Sequence, residues 1–129
     1  MNYVVDTHAL LWFIEGSPRL SVAARDALST SESSLVVPAI CLAELTYLYD
    51  RGKAQVDLRR VREEILSARN TKVYPLDEVV VELMPRELEI HDAIIVATTR
   101  VYSELLGVQT ALITRDLTLQ QAGIVATLW

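Results

Sequence analysis

The chain reads as an α/β fold, a central parallel sheet covered by helices on both faces, and three observations lead there. Its strand-like segments, Tyr3-Val4-Val5, Leu35-Val36-Val37 and Ala111-Leu112-Ile113, are continuously apolar rather than alternating, as strands buried on both faces are. Segments with helical patterning separate them, so successive strands are joined by crossovers. Turn clusters such as Gly16-Ser17-Pro18 punctuate the joins. At 129 residues the expectation is one domain, residues 1–129, large enough for a substantial hydrophobic core.

Taken in order, residues 2–6 predict a short buried strand, being aromatic and β-branched and ending in a polar residue. Residues 7–15 predict a helix that stops at Gly16. Ser21 is the N-cap of a helix over 22–29. A second strand, 35–37, precedes a strongly apolar helix over 39–50 that ends near Gly52. A charged helix over 57–69 places Leu58, Val61, Ile65 and Leu66 on one face. A strand at 72–75 and a helix near 77–84, stopped by Pro85, come next. Residues 92–106 predict a long helix with Gly107 at its end, and strands are expected at 111–114 and 124–127.

Composition narrows the classes of function. Half of the residues are apolar, which excludes a disordered chain, and no apolar stretch is long enough to span a membrane. Cys41 is the only cysteine, so there is no internal disulfide and no thiolate zinc cage. The first residues, Met1 to Asp6, lack a basic n-region and a cleavage site, which makes the cytoplasm the expected compartment. A net charge of −5 argues against non-specific adhesion to nucleic acid through basic patches. It leaves open an enzyme that meets phosphates through metal ions.

Four carboxylates stand where folding alone gives them least reason to be. Asp6 ends the run Tyr3-Val4-Val5, and Asp116 follows Ala111-Leu112-Ile113-Thr114-Arg115. Asp92 opens Ala93-Ile94-Ile95-Val96-Ala97, and Glu44 lies inside the apolar helix, with no Lys or Arg three or four residues away. Removing a carboxylate from water costs several kcal/mol in order of magnitude unless it is paired or bound to metal. Singly, Asp6, Asp92 and Asp116 are explained as N-caps of the helical patterns they precede. Glu44 has no such explanation. In parallel α/β sheets, ligands bind beyond the carboxyl ends of the strands, where Asp6 and Asp116 both fall. Four acids gathered there suit a hard divalent cation, Mg²⁺ or Mn²⁺.

Other chemistries find no support. Gly16, Gly52, Gly107 and Gly123 form neither a P-loop nor a GxGxxG, and no GxSxG elbow is present. An aspartyl-phosphate enzyme would want a second Asp two residues after the first, where His8 stands. His8 and His91 lack metal-type spacing and read as packing or hydrogen-bonding neighbours. Trp12 and Trp129, in apolar contexts, read as core or edge packing.

The segments Val4-Val5-Asp6-Thr7-His8-Ala9-Leu10-Leu11-Trp12, the helix bearing Glu44, His91-Asp92-Ala93-Ile94-Ile95-Val96-Ala97 and Leu112-Ile113-Thr114-Arg115-Asp116 together resemble the PIN-domain family. They are most similar to its VapC-like toxin ribonucleases of toxin–antitoxin pairs. The resemblance runs over nearly the whole chain, in order, to the closing Val125-Ala126-Thr127-Leu128-Trp129. It departs from the nearest subgroup in Glu87-Leu88-Glu89-Ile90-His91, which lacks a basic, proline-rich lead-in.

The resemblance implies an α/β/α sandwich on a parallel sheet, a Mg²⁺ or Mn²⁺ site, endoribonuclease activity, homodimers and a cognate antitoxin. By motif match Asp6, Glu44, Asp92 and Asp116 are the catalytic acids. Asp6 and Asp116 are the principal metal ligands, Asp92 a ligand directly or through water, and Glu44 a general base or a positioner of water. Thr7 and Thr114 stand at the hydroxyl positions that orient the carboxylates. Arg115 is the nearest cation in sequence, with contact to phosphate and a solvated role both open. Two alternatives share this site: an RNA-processing nuclease without an antitoxin, and a binding module without turnover.

Overall fold

The structure, a computed structural model, describes residues 1–129. Five strands form one parallel sheet: β1 (Asn2–Val5), β2 (Ser34–Pro38), β3 (Thr71–Tyr74), β4 (Thr110–Ile113) and β5 (Thr127–Leu128). Their order across the sheet is β3-β2-β1-β4-β5, with every neighbouring pair parallel. The chain thus winds one way from β1 through β2 to β3, then crosses back to β4 and on to β5. The reversal lies between β1 and β4, where Val5 pairs with Ile113, and a crevice opens beyond the carboxyl ends of two such strands.

Successive strand residues point to opposite faces, so a strand buried at consecutive positions has cover on both. Val4 and Val5, Leu35 to Val37 and Ala111 to Ile113 are all buried, and the sheet is therefore the middle layer of a sandwich. Its cover comes from α1 (Thr7–Glu15), α2 (Val22–Ser29), α3 (Ala39–Asp50), α4 (Leu58–Val61), α5 (Glu78–Glu82), α6 (Ile90–Arg100) and α7 (Leu117–Ala122). The main core of 23 buried residues joins β1, β2 and β4 to α1, α2 and α3. A smaller cluster of Val80, Ile94, Ala97 and Val101 ties α5 to α6. At the edges, β3 exposes Lys72 and Val73, and β5 is only two residues long, which limits pairing with other chains.

The predicted helices 7–15, 22–29 and 39–50 are found with those bounds, and Ser21 caps the second through a bond from the Ala24 N–H of 3.0 Å. Three elements differ by more than a residue or two at their ends. The helix expected over 57–69 is α-helical only at Leu58–Val61, then widens into a π-type stretch, Arg62–Leu66. The helix expected over 92–106 begins at Ile90 and likewise widens, at Val101–Leu105. An apolar stripe is compatible with either helix type, so periodicity does not separate them. Before the second widening, Thr98 and Thr99 hydroxyls donate to the carbonyls of Ile94 (2.8 Å) and Ile95 (3.0 Å), a back-bonding that loosens the regular ladder.

The early start of α6 moves Asp92 from its expected capping position to the third helical residue. Glu89 is the cap, accepting from the N–H groups of His91 (3.0 Å) and Asp92 (3.4 Å). Finally, β5 forms at Thr127–Leu128 rather than 124–127. Gly123, at φ 64°, ends α7 in a left-handed turn, and residues 124–126 return the chain to the sheet.

Candidate active site

Beyond the reversal point lies an open cleft of about 480 Å³, and all four sequence-predicted acids line it. They arrive from four places: Asp6 from the end of β1, Glu44 from the middle of α3, Asp92 from the first turn of α6 and Asp116 from the loop after β4. The continuation of the sheet sets the first of these. The Asp6 N–H donates to the Ile113 carbonyl at 3.2 Å, which seats Asp6 beside Thr114 at the same edge.

Asp6 and Asp116 are indeed N-caps. Asp6 Oδ1 accepts from the Ala9 N–H at 2.9 Å, and Asp116 Oδ1 from those of Thr118 (2.7 Å) and Leu119 (3.4 Å). Capping uses one oxygen of each. Both residues also line the cleft, so capping does not turn them away from it.

Thr7 and Thr114 are buried beneath the acids. The Thr7 hydroxyl donates to Glu44 Oε1 at 3.1 Å, tying α1 to α3. Thr114 Oγ1 accepts from the Asp116 N–H at 3.1 Å, and its carbonyl accepts from Gln120 Nε2 at 3.0 Å, which fixes the turn carrying Asp116. Cys41 is fully buried nearby, its Sγ donating to the Val5 carbonyl at 3.6 Å; burial pushes its thiol pKa up, so it stays a packing residue.

The cleft is electrostatically strained without a cation. Burial raises the pKa of Asp6, against the Thr114 hydroxyl, the Ala9 N–H and His8, and with the help of Asp116. Asp92 is pushed up to about 6, by burial first and then by the negative charges of Asp116, Glu89, Glu44 and Asp6. Every other acid of the cleft therefore lies close enough to act on it.

These donors fit a hard divalent ion. They are all carboxylate oxygens, they line an open cleft, and their mutual repulsion is what a cation would relieve. No three of the His, Cys, Asp and Glu side chains close into a ready-made cage.

Among the other residues lining the cleft are three whose place there the sequence left unassigned or open. Glu89 is a fifth acid, and its Oε1 lies 3.1 Å from His91 Nδ1. A Glu is an unusual cap, and its role is visible only once the helix start is known. Trp12, expected to be plain packing, forms part of the wall. The signal for it was the spacing His8, Trp12 on one face of α1, and their rings lie 5.6 Å apart. Arg115 is the third, with its guanidinium over the Trp12 ring at 5.6 Å. His8 and His91 are both exposed at the cleft. Beside it, sharing His8, Glu44 and His91, is a second cavity of about 550 Å³ walled by Ile40, Ala43, Tyr47 and Leu48.

No helix is long and apolar enough to cross a membrane. No curated protein sequence matches the chain. Among solved structures, it is similar to VapBC2 from Rickettsia felis bound to a DNA fragment from their promoter, with a TM-score of 0.64 at 15% identity, covering 99% of this chain and 98% of that one. A toxin–antitoxin complex from Klebsiella pneumoniae matches with a TM-score of 0.67 at 20% identity, over 98% of this chain and 96% of the other. VapBC-1 from nontypeable Haemophilus influenzae matches with a TM-score of 0.60 at 18% identity, over 99% and 97%. At such identities the likeness is one of fold. The family model of the PIN domain matches residues 3–124, nearly the whole chain, and the protein belongs to the PIN domain family.

Proposed function

We propose that the chain is a single nuclease domain, residues 1–129, which hydrolyses RNA phosphodiester bonds with Mg²⁺ or Mn²⁺ and acts as the toxin of a toxin–antitoxin pair in the cytoplasm. The observation that carries this reading is the meeting of four carboxylates from four separate elements at the reversal point of the sheet. Membership of the PIN domain family and the likeness to toxin–antitoxin complexes support it.

A divalent cation bound there lowers the pKa of water and offsets negative charge on the phosphate. The remaining work falls to the protein. Asp6 and Asp116 would hold the ion, and Asp92 would hold it directly or through water. Glu44, oriented by the Thr7 hydroxyl, accepts the proton of the attacking water. Thr114 keeps Asp116 and Asp6 at their separation. The fixed α-helical and strand-end positions of these groups keep the reorganisation needed at the moment of reaction small.

The second cavity is the docking place of an antitoxin segment. Its walls are apolar, it adjoins the acids, and Tyr47 at its rim is more than half exposed. A basic side chain on that segment would reach the acids and displace the cation. Self-association into a homodimer covers other exposed apolar side chains, among which Val81, Ile90 and Leu117 are more than half exposed.

The test is cleavage of single-stranded RNA by the purified protein, with Asp6→Asn as control. Cleavage in Mg²⁺ or Mn²⁺ that the variant lacks is the expected result, and growth arrest on expression, relieved by a small neighbouring gene, is expected for a toxin. Metal binding with no cleavage of any RNA would make the chain a binding module.

A further inference from the structure

Of the arginines, Arg59, Arg60 and Arg100 pair with Glu63, Glu64 and Glu104 one helical turn away, and Arg25 donates to the Ser17 carbonyl. Arg115 and Arg19 do neither, nor do Arg51, Arg62, Arg69 and Arg86, and of these six only Arg115 lines the acidic cleft. Arg115 is adjacent in sequence to Asp116 and lines a cleft with five carboxylates, yet forms no ion pair with any of them. Its guanidinium carbon sits 5.6 Å from the centre of the Trp12 ring, and that of Arg19 sits 5.9 Å from the same ring. Trp12 is itself braced, by Trp129 edge-on at 6.0 Å and by His8 at 5.6 Å. Attraction to an aromatic face holds a guanidinium in place without using its N–H groups. The donor fork of Arg115 is thus held in the wall of an acidic cleft, and that of Arg19 stands by the same Trp12 ring outside the cleft lining.

From this arrangement we infer that Arg115 and Arg19, held by Trp12, bind a backbone phosphate of single-stranded RNA next to the bond that is cut. The assignment to RNA rests on the nuclease reading. A planar guanidinium matches a phosphate with two parallel N–H···O bonds. The acids repel a polyanion, so a substrate needs cations at the approach, and Arg115 is the only Lys or Arg in the lining of the cleft. Trp12 lies six residues beyond Asp6 along α1, about 9 Å along the helix axis, so the ledge is offset from the acids rather than among them. A guanidinium fork matches phosphate oxygens, and the RNA strand is the occupant this ledge fits. Arg115 and Arg19 are binding residues and Trp12 is a positioning residue.

The experiment measures anisotropy of a fluorescein-labelled unstructured RNA over a range of salt, with every variant in an Asp6→Asn background so that binding is read without turnover. Arg115→Ala is expected to raise Kd about tenfold and to lower the slope of log K against log salt by about 0.7, the share of one phosphate contact on a single strand. Arg115→Lys restores the slope and only part of the affinity, because a point charge lacks the fork. Trp12→Ala weakens binding with both arginines still present, and Trp12→Phe, which keeps an aromatic face, retains most of it. Arg59→Ala, an exposed arginine on α4, leaves the slope unchanged. Melting curves confirm that each variant is folded. An unchanged Kd and slope for Arg115→Ala, or no RNA binding at all, overturns the inference. If wild-type protein cuts RNA while Arg115→Ala retains its KM, only this inference falls. If Arg115 governs RNA binding but the wild type cuts no RNA in Mg²⁺ or Mn²⁺, the nuclease reading falls and the phosphate contact stands without a place beside a cut bond.

Discussion

Asp6 and Asp116 each terminate a strand, cap a helix and face the cleft, and this convergence makes their substitution readable. In Asp6→Asn the amide oxygen still accepts from the Ala9 N–H, so α1 keeps its cap, while the charge needed for a cation is gone. Asp6→Asn and Asp116→Asn are therefore expected to abolish turnover with the melting temperature of the metal-free protein equal or higher, since repulsion falls. Calorimetry beside an RNA cleavage assay checks this; a collapse of stability would mean that the charge itself holds the fold. Thr7→Val keeps the volume of a buried side chain but removes the 3.1 Å bond to Glu44. A drop in kcat with little change in metal affinity is expected, since Glu44 is then misdirected while the other acids are untouched.

Asp92 carries a pH dependence of definite sign. Its pKa in the fold, about 6, lies above its ordinary value of 3.8, so between those pH values the folded state holds a proton that the unfolded chain has lost. Its contribution to stability is present at low pH and is lost as pH rises toward 6 and above. Asp92→Asn should accordingly gain stability relative to wild type across that window in metal-free buffer. Melting temperatures of the two proteins from pH 4 to 7.5 measure it, and a constant difference would contradict the account.

At the scale of elements, the helix starts divide into those that serve the fold and those that also serve the site. Asp57 caps α4 through the Arg60 N–H at 2.9 Å, away from the cleft, and Asp57→Ala should cost about 1 kcal/mol with activity intact. Glu89 caps α6 and so aims Asp92; Glu89→Ala should lower activity as well as stability. Assays of both variants separate the two cases. The capping pattern also explains what sequence could reveal. Asp6 and Asp116 were legible because each follows a buried strand, and Glu44 because a carboxylate inside an apolar helix needs a reason. The start of α6 was not, since Asp92 is a better cap by type than Glu89, yet Glu89 accepts from the first N–H groups of the helix. The π-type stretches after α4 and α6 were hidden for a similar reason: an apolar stripe sets which face is buried, not how many residues make a turn.

For the whole molecule, the sheet order β3-β2-β1-β4-β5 is what turns four distant residues into neighbours. Continuous apolar strands announced a parallel sheet, but the order of the strands, and with it the position of Trp12 and Arg115 on the cleft wall, depends on contacts that periodicity does not encode. Leu112 is fully buried on β4, next to β1, and Leu112→Ala should cost about 2–5 kcal/mol by cavity formation and disturb the cleft only through the shift of β4.

The central claim, that this edge of the sheet is a metal-dependent phosphodiesterase centre, is met most directly by identifying the ends of the products. When water is the nucleophile, the 2′-hydroxyl takes no part and cut RNA carries a 5′-phosphate and a 3′-hydroxyl. Mass spectrometry of a defined single-stranded RNA, incubated with Mg²⁺ or Mn²⁺ and with EDTA, should find those ends in the first case and intact RNA in the second. A 2′,3′-cyclic phosphate, or cleavage that survives EDTA, would contradict the account and move the chemistry from the four acids to His8 and His91.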